Sequence, residues 1–170
     1  MGKVIMLKLL LVLCTFFIAA TVDAAAQASV HVEPTILQGP RLLQEQTGTA
    51  VIRDYLQSWQ SLSAAFEQNR ADLLDPEFVG AAKEKLTNTI QQQARLGIRT
   101  RYVDRAHDLH IVFYSPEGLS IELTDKVEYD VQVLDHDKVR TTQRLSARYI
   151  VVLTPAQVRW RVRVFQAVPE

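Results

Sequence analysis

The sequence predicts an α+β domain in which N-terminal helices pack on one face of an antiparallel sheet. Two observations lead to this fold class. Apolar residues recur at intervals of three and four between residues 49 and 97, which is the period of amphipathic helices. From about residue 99 onward they alternate with polar residues, which is the period of half-buried strands. Short polar turns join the successive strands, and such turns connect antiparallel neighbours.

The first predicted helix covers residues 49–68 and carries one apolar face. The residues of this face are Val51, Ile52, Tyr55, Leu56, Trp59, Leu62 and Phe66. A second helix is predicted to begin at Asp75-Pro76-Glu77, because aspartate caps helix N-termini and proline is tolerated at the first helical position. This helix is expected to stop at Gly97, since glycine is the common residue just past a helix C-terminus.

The clearest strand pattern runs over residues 119–133, where apolar and polar side chains alternate. Further strands are predicted over residues 99–103, 109–114, 139–153 and 158–168. The sequence Ser115-Pro116-Glu117-Gly118 has the proline and glycine positions of a type I turn. This turn should join two antiparallel neighbours.

Asp125 occupies an apolar position of the 119–133 strand, where a carboxylate is costly without a partner. If the turn at 115–118 places Tyr114 opposite Leu119, His110 faces Leu123 and lies near Asp125. An inward aspartate beside a histidine could act as a catalytic acid–base pair, with Tyr129 or Tyr102 as a hydrogen-bond donor. The alternative is structural: Asp125 lies at a kink and reaches solvent, or simply pairs with His110.

Other histidines and carboxylates lie close in the sequence without forming a metal signature. Asp104, His107, Asp108 and His110 match no compact spacing of metal ligands. We therefore predict neither a metal nor a cofactor.

The N-terminus is typical of an export signal. Lys3 and Lys8 precede an apolar run over residues 9–22, and small residues follow at 24–28. The run is shorter than the roughly 20 residues that span a bilayer. We predict a signal peptide over residues 1–26, an arm over 27–48 and one domain over 49–170, in the periplasm or outside the cell. An uncleaved anchor, which would make the chain a membrane-anchored subunit of an envelope complex, is the alternative; after cleavage no membrane contact is expected.

The charge balance gives no argument for nucleic acid, since 19 basic and 19 acidic residues leave a formal net charge of zero. Several arginines nevertheless lie among apolar residues on the predicted outer face of the last two strands. We predict a homodimer interface there, formed by Ile150, Val152, Phe165, Arg148, Arg161 and Arg163. The alternative is a solvated ladder in which acids of the neighbouring strand, such as Glu128, pair with the arginines.

Three stretches carry a resemblance to a known family. Tyr55-Leu56-Gln57-Ser58-Trp59 lies in the first helix, Asp75-Pro76-Glu77-Phe78-Val79-Gly80 opens the second, and Val158-Arg159-Trp160-Arg161-Val162 lies in the last strand. In this order they resemble the nuclear transport factor 2-like superfamily. The resemblance implies a cystatin-like cone in which a strongly curved sheet wraps the helices and leaves a cavity. The residues expected to line that cavity are Tyr55, Trp59, Tyr129, Tyr149 and Trp160.

That superfamily includes ketosteroid isomerases, polyketide cyclases and dehydratases, and also domains that only bind ligands or partners. Fold alone therefore leaves the function open. We expect an exported, non-catalytic binding or scaffold domain, whose ligand is a small apolar molecule or whose partner is an envelope protein. The alternative is a small enzyme that uses Asp125 and His110 in the cavity for isomerase, cyclase or dehydratase chemistry.

Overall fold

Five strands form one sheet, and two helices pack on one face of it. The computed structural model describes residues 27–35, 37 and 41–168. The elements are β1 (Ser29–Val32), α1 (Glu45–Gln68), a 3₁₀ helix (Ala71–Leu74), α2 (Gly80–Arg95), β2 (Ile98–Tyr114), β3 (Ile121–Asp135), β4 (Lys138–Pro155) and β5 (Trp160–Val168). The strands lie in the order β1-β2-β3-β4-β5, with β1 parallel to β2 and all other pairs antiparallel. The predicted α+β class is confirmed.

Helix α1 supplies most of the helical side of the core. It begins at Glu45, four residues before the predicted start, because its first turn is polar and leaves no apolar signal. It ends where Asn69 takes the left-handed conformation with φ of 54°. Its buried apolar side chains face those of the sheet and of α2. They are Val51, Tyr55, Trp59, Leu62, Ala65 and Phe66.

Helix α2 begins at Gly80, so the predicted start at Asp75-Pro76-Glu77 is wrong. Those three residues form a turn after the 3₁₀ helix. The backbone that follows pairs with β5 instead: Val79 N–H donates to Val162 O at 2.9 Å, and Val162 N–H donates to Glu77 O at 2.8 Å. Long-range pairing thus overrides a local capping signal. The C-terminus agrees with expectation, since Arg95 ends the helix and Gly97 has φ of 70°.

Strand β2 is continuous, although two separate strands were predicted over its length. The pairing with β3 shifts between Asp104 and Ala106, where one extra residue forms a bulge, and shifts again between Ile111 and Phe113. At the adjoining turn, Ser115 N–H donates to Ser120 O at 2.9 Å. The turn is therefore longer than assumed, and Tyr114 pairs with Ile121 instead of Leu119.

The pairing of β4 with β5 also differs from expectation. Val152 lies opposite Val164, and the register shifts at the next pair, where Leu153 lies opposite Val162. Phe165 consequently lies opposite the buried Val151 and packs against the core. Its predicted place on the outer face is wrong, because the extra residue of β5 at this register shift reverses the alternation between Val162 and Phe165.

Part of the predicted arm belongs to the sheet. Residues 29–32 form β1, and α1 already begins within the segment 27–48. The predicted signal peptide, residues 1–26, lies outside the described residues. Among the residues that are described, no helix is long and apolar enough to cross a membrane.

Candidate functional site

Asp125 lies in the centre of the sheet and points into the core. It is on β3 between Leu109 of β2 and Tyr149 of β4, and its exposed fraction is 0%. Its Oδ2 accepts two hydrogen bonds of 2.7 Å, one from Tyr55 Oη–H and one from His107 Nδ1–H. The strict alternation of β3 places this carboxyl group inside, as the sequence predicts.

A chain of hydrogen bonds extends from Asp125 into α1. Trp59 Nε1–H donates to Tyr55 Oη at 2.8 Å, and the four-residue spacing of these two aromatic residues puts them on the same helical face. Burial, followed by the negative charge of Asp125, raises the pKa of Tyr55 well above its ordinary value. The phenol therefore stays protonated and donates to the carboxyl group.

His107 completes the buried polar cluster, and it comes from β2. Its Nε2 lies 3.8 Å from Asp104 Oδ2, and its ring stands edge-on to Trp59 with centroids 5.4 Å apart. Burial lowers the pKa of His107, but hydrogen bonds and charge from Asp104 and Asp125 outweigh it and raise the pKa to about 9. At neutral pH the imidazole is therefore protonated.

Two carboxyl oxygens of this cluster remain without a hydrogen bond. Asp125 Oδ1 and Asp104 Oδ1 are buried and have no partner among the described residues. Such atoms are costly in a protein interior. The oxygen of Asp104 lies beside a cleft of about 590 Å³ that His107 and Tyr102 also line.

The structure does not bring His110 to Asp125, which corrects the predicted pair. His110 lies opposite Thr124 on the outer side of the sheet, and its Nδ1 is 3.4 Å from Glu33 Oε2. His107 takes the inward position because the bulge between Ile111 and Phe113 reverses which side chains of β2 face the core beyond the turn. Bulges leave little trace in a sequence, so alternation alone could not select His107 over His110.

The five aromatic residues predicted to line a cavity have different positions. A cavity of about 200 Å³ lies between α1, α2 and the sheet, and Trp59 and Tyr149 line it together with Tyr102 and Phe165. Tyr55 and Tyr129 are buried in the core. Trp160 lies elsewhere and packs edge-on against Tyr114, with ring centroids 6.5 Å apart.

Tyr149 of this cavity also contacts a core tyrosine. Its Oη and Tyr129 Oη are 3.2 Å apart. Burial and the neighbouring Tyr129 raise the pKa of Tyr102 to about 12, and burial also raises the pKa of Tyr149. The hydroxyl groups of Tyr102 and Tyr149 therefore remain protonated at physiological pH and act as neutral hydrogen-bonding groups.

The outer face of the sheet holds a ladder of charges. Asp130 accepts hydrogen bonds from Arg144 Nε at 3.0 Å and Arg105 Nη2 at 2.6 Å, and these two arginines lower the pKa of its carboxyl group. Asp130, and not Glu128, is thus the partner of Arg144. Arg148 lies two cross-strand rows further along this face, opposite Lys126.

The residues of the predicted homodimer interface differ in their exposure and in their hydrogen-bond partners. Ile150 and Val152 are half-buried on the outer face, and Arg148 and Arg163 are exposed. Arg161 donates to the carbonyl oxygens of Asp75 and Phe78. It therefore anchors the segment before α2. Dimerisation through the outer face stays a prediction.

No group of three or more histidine, cysteine, aspartate or glutamate residues within the described part of the chain is arranged to hold a metal ion. The carboxyl group of Asp125 itself is in contact with one protonated imidazole and one phenol.

No protein-family model matches this sequence, and no curated protein matches it either. Solved structures do match its fold. The intermembrane space region of the chloroplast protein ARC6 has a TM-score of 0.63 at 14% identity, over 76% of this chain and 100% of that chain. A proposed scytalone dehydratase from Novosphingobium aromaticivorans has a TM-score of 0.51 at 13% identity, over 74% of this chain and 89% of that chain. Identities this low establish the fold alone, and the chain has the nuclear transport factor 2-like fold that its sequence predicted.

Proposed function

We propose that this chain is an exported, non-catalytic binding or scaffold domain and that its buried acid–base pair serves the fold. The observation that carries the proposal is the enclosure of that pair. Asp125 has an exposed fraction of 0% and the His107 side chain one of 2%. A catalytic group must contact its substrate, and neither group has the exposed surface to do so.

The size of the inner cavity supports the same conclusion. Ligand pockets usually have volumes of about 300–1,000 Å³, whereas the cavity beside Trp59 has about 200 Å³. Its walls are mainly apolar and aromatic, with Lys85 as their charged side chain. Asp125 and His107 do not line this cavity, so a molecule bound there would lie beside Trp59 and away from the buried pair.

The proposed export rests on the N-terminal pattern of the sequence. Basic residues, an apolar run and small residues follow one another over residues 1–28 in the order of a signal peptide. A domain of the same fold works in the intermembrane space of chloroplasts, which is compatible with a place beyond a membrane. Determining the N-terminus of the protein purified from an exporting host tests this: a start near residue 27 supports export, and retention of residues 9–22 favours an anchored subunit.

Homodimer formation through the outer sheet face belongs to the proposal, with Phe165 removed from it. Val152 lies in one cross-strand row with Glu122 and with Val164, and Ile150 lies in the adjacent row. A two-fold interface joins the same patch on both copies. Acidic Glu122 and basic Arg148 on this patch allow each copy to complement the other.

A cavity enzyme is the second candidate, because an aspartate, a protonated histidine and a tyrosine do meet in one place. His107 also lies at the wall of the 590 Å³ cleft, close to Asp104. A substrate entering this cleft would meet His107 Nε2, while Asp125 would orient the ring. A fold match described as a scytalone dehydratase is compatible with this candidate.

Hydrogen exchange at the histidine rings distinguishes the two candidates. Exchange of the ring C2 hydrogen for deuterium, followed by peptide mass spectrometry, compares His107 with His31 and His136, which are exposed. This exchange proceeds through the protonated imidazole, so the charge of His107 does not block it. The proposal expects exchange at the two exposed rings and none at His107 until the protein unfolds. Exchange of His107 at a comparable rate, together with a small bound molecule in a native mass spectrum, would overturn the proposal.

A further inference from the structure

We infer that the edge strand β1 and the adjacent face of α1 form a docking groove for an extended, alternately apolar segment of a partner protein, which adds to the sheet beside β1. This inference rests on the proposed binding or scaffold function and names the class of partner. We call the surface the β1–α1 groove; its sides are Val30 and Val32 of β1, and Ile52 and Leu56 of α1.

The α1 side of the groove is a line of residues whose apolar members, Ile52 and Leu56, are half-buried and also pack against the core. Gly48, Ile52, Leu56 and Gln60 follow one another at intervals of four and so lie along one line of the helix. Two cavities of about 620 and 590 Å³ border this line, and Leu56 lines both. Their linings extend along more than three turns of α1, and we call the two cavities together the channel.

The β1 side of the groove combines apolar side chains with a free backbone edge. Within the described residues, β1 pairs only with β2. Glu33 N–H donates to Leu109 O, so the alternate residues Ser29 and His31 also direct their backbone groups toward β2. The backbone N–H and C=O of Val30 and Val32 therefore point away from the sheet.

The side chains of the same two valines point toward the groove. Val30 pairs with His107 and Val32 with Leu109, both of which face the core, yet Val30 is 45% exposed and Val32 is 43% exposed. A strand added beside them would place every second side chain on this side of the sheet, against Ile52 and Leu56. The groove thus offers backbone hydrogen bonds and apolar contacts in the same register.

Strand β1 lacks most of the devices that usually protect a sheet edge. Natural edges are kept short or carry lysine, proline, bulges or a covering element. β1 is short, with four residues, but Ser29-Val30-His31-Val32 has neither lysine nor proline, and its pairing with β2 is regular. An exposed edge of this kind is suited to accept another strand.

The charges at one end of the groove define the partner further. The Asp104 side chain is 22% exposed and lines the same cavity as Val30. A lysine or an arginine of the partner would form a favourable ion pair with the exposed part of this carboxyl group. We therefore expect a basic residue in the segment that reaches Asp104.

The size of the groove favours a different protein over a second copy of this chain. An antiparallel pair of two β1 strands would bring only Val30 and Val32 of the second copy into the channel. Two valine side chains are too small to fill cavities of about 620 and 590 Å³. Leucine, phenylalanine or similar side chains are required.

Selection from a displayed library of random twelve-residue peptides, with the protein purified from an exporting host as bait, tests the inference. The expected result is an enriched pattern of large apolar residues at every second position with a basic residue toward one end. Amide hydrogen exchange should then show that the selected peptide protects the N–H groups of Val30 and Val32.

Two variants examine the site with that peptide. Val32→Pro removes an N–H that points away from β2, and Leu56→Glu puts a charge into the channel; each should weaken binding at least tenfold. Leu96→Glu is the matched control, since Leu96 is 73% exposed at the end of α2 and lies outside both the groove and the outer face, and it should bind as the parent protein does. Circular dichroism verifies that all three variants are folded.

Several results would overturn the inference. They are the absence of any enriched pattern, a pattern without alternation, and equal binding by all three variants. A further one is a cross-linking residue, placed at position 30, that joins only to a second copy or to residues 1–26 in mass spectrometry. None of these results bears on the enclosure of His107. The binding or scaffold proposal would then remain, with its partner surface elsewhere on the protein. An accessible His107, in contrast, would contradict the binding or scaffold proposal and would leave the evidence for the groove unchanged.

Discussion

Replacing Tyr55 by phenylalanine removes one oxygen atom from the centre of the buried polar cluster. That oxygen donates to Asp125 Oδ2 at 2.7 Å and accepts from Trp59 Nε1–H at 2.8 Å. The substitution keeps the ring and its packing, so it leaves no large cavity. It leaves the indole N–H of Trp59 without an acceptor, and it leaves Asp125 with His107 as its single donor.

The expected loss of stability follows from these two contacts. A hydrogen bond to a charged group contributes about 1.5–3 kcal/mol, and a buried donor left without a partner costs about 1–3 kcal/mol. We expect Tyr55→Phe to lower the free energy of unfolding by about 3–5 kcal/mol. Since a domain typically has about 5–15 kcal/mol in total, the variant should remain folded in most of that range.

Urea denaturation followed by tryptophan fluorescence measures the effect. At a slope of about 2 kcal/mol per molar urea, the midpoint should fall by about 2 M. Tyr149→Phe is the matched control, because it removes one neutral hydrogen bond of 3.2 Å to Tyr129, worth about 1 kcal/mol. If Tyr55→Phe cost no more than Tyr149→Phe, the cluster would not stabilise the fold as argued.

Three further predictions concern pH, the central carboxyl group and the oligomeric state. The pKa of His107 is raised to about 9 from 6.5, so its contribution to stability is complete below pH 6.5 and is lost as the pH rises through 9. Urea titrations should show a loss of up to about 3 kcal/mol over this interval in the parent protein, and none of it in His107→Gln. Asp125→Asn should lower the pKa of His107, measured by NMR, and destabilise the fold by about 3–5 kcal/mol through an unpaired buried cation; a more stable variant would contradict this. Ile150→Glu with Val152→Glu should convert a dimer to a monomer in analytical ultracentrifugation, and an intact dimer would exclude the outer face.

The elements of this fold that could be predicted are those defined by local periodicity. The 3.6-residue period found α1, and the alternation of residues 119–133 found β3 and placed Asp125 inside. Such periods arise because one face of each element is buried, so a short stretch of consecutive residues is enough to recognise them. The start of α2 was missed because Val79 pairs with Val162, which lies 83 positions later in the chain.

The histidine of the cluster could not be selected from the sequence for a similar reason. One extra residue between Ile111 and Phe113 reverses which side chains of β2 face the core over residues 106–111. His107 and His110 are three residues apart and so lie on opposite faces, and only this bulge decides that His107 faces inward. The local pattern therefore predicted an inward aspartate but could not identify the histidine that binds it.

The buried cluster also fixes how α1 lies on the sheet, and this connects it to the groove. Tyr55 and Trp59 are held toward Asp125 and His107, so the neighbouring line of α1, which carries Ile52 and Leu56, must face β1. A one-residue slip of β3 would move Asp125 to the outer face and break both of its hydrogen bonds. A polar cluster therefore selects one arrangement of helix and sheet more sharply than apolar packing can, because apolar side chains tolerate rearrangement and unpaired polar groups do not. The hydrogen bonds that enclose Asp125 and keep it from a substrate thus also orient the face of α1 to which we expect a partner to bind.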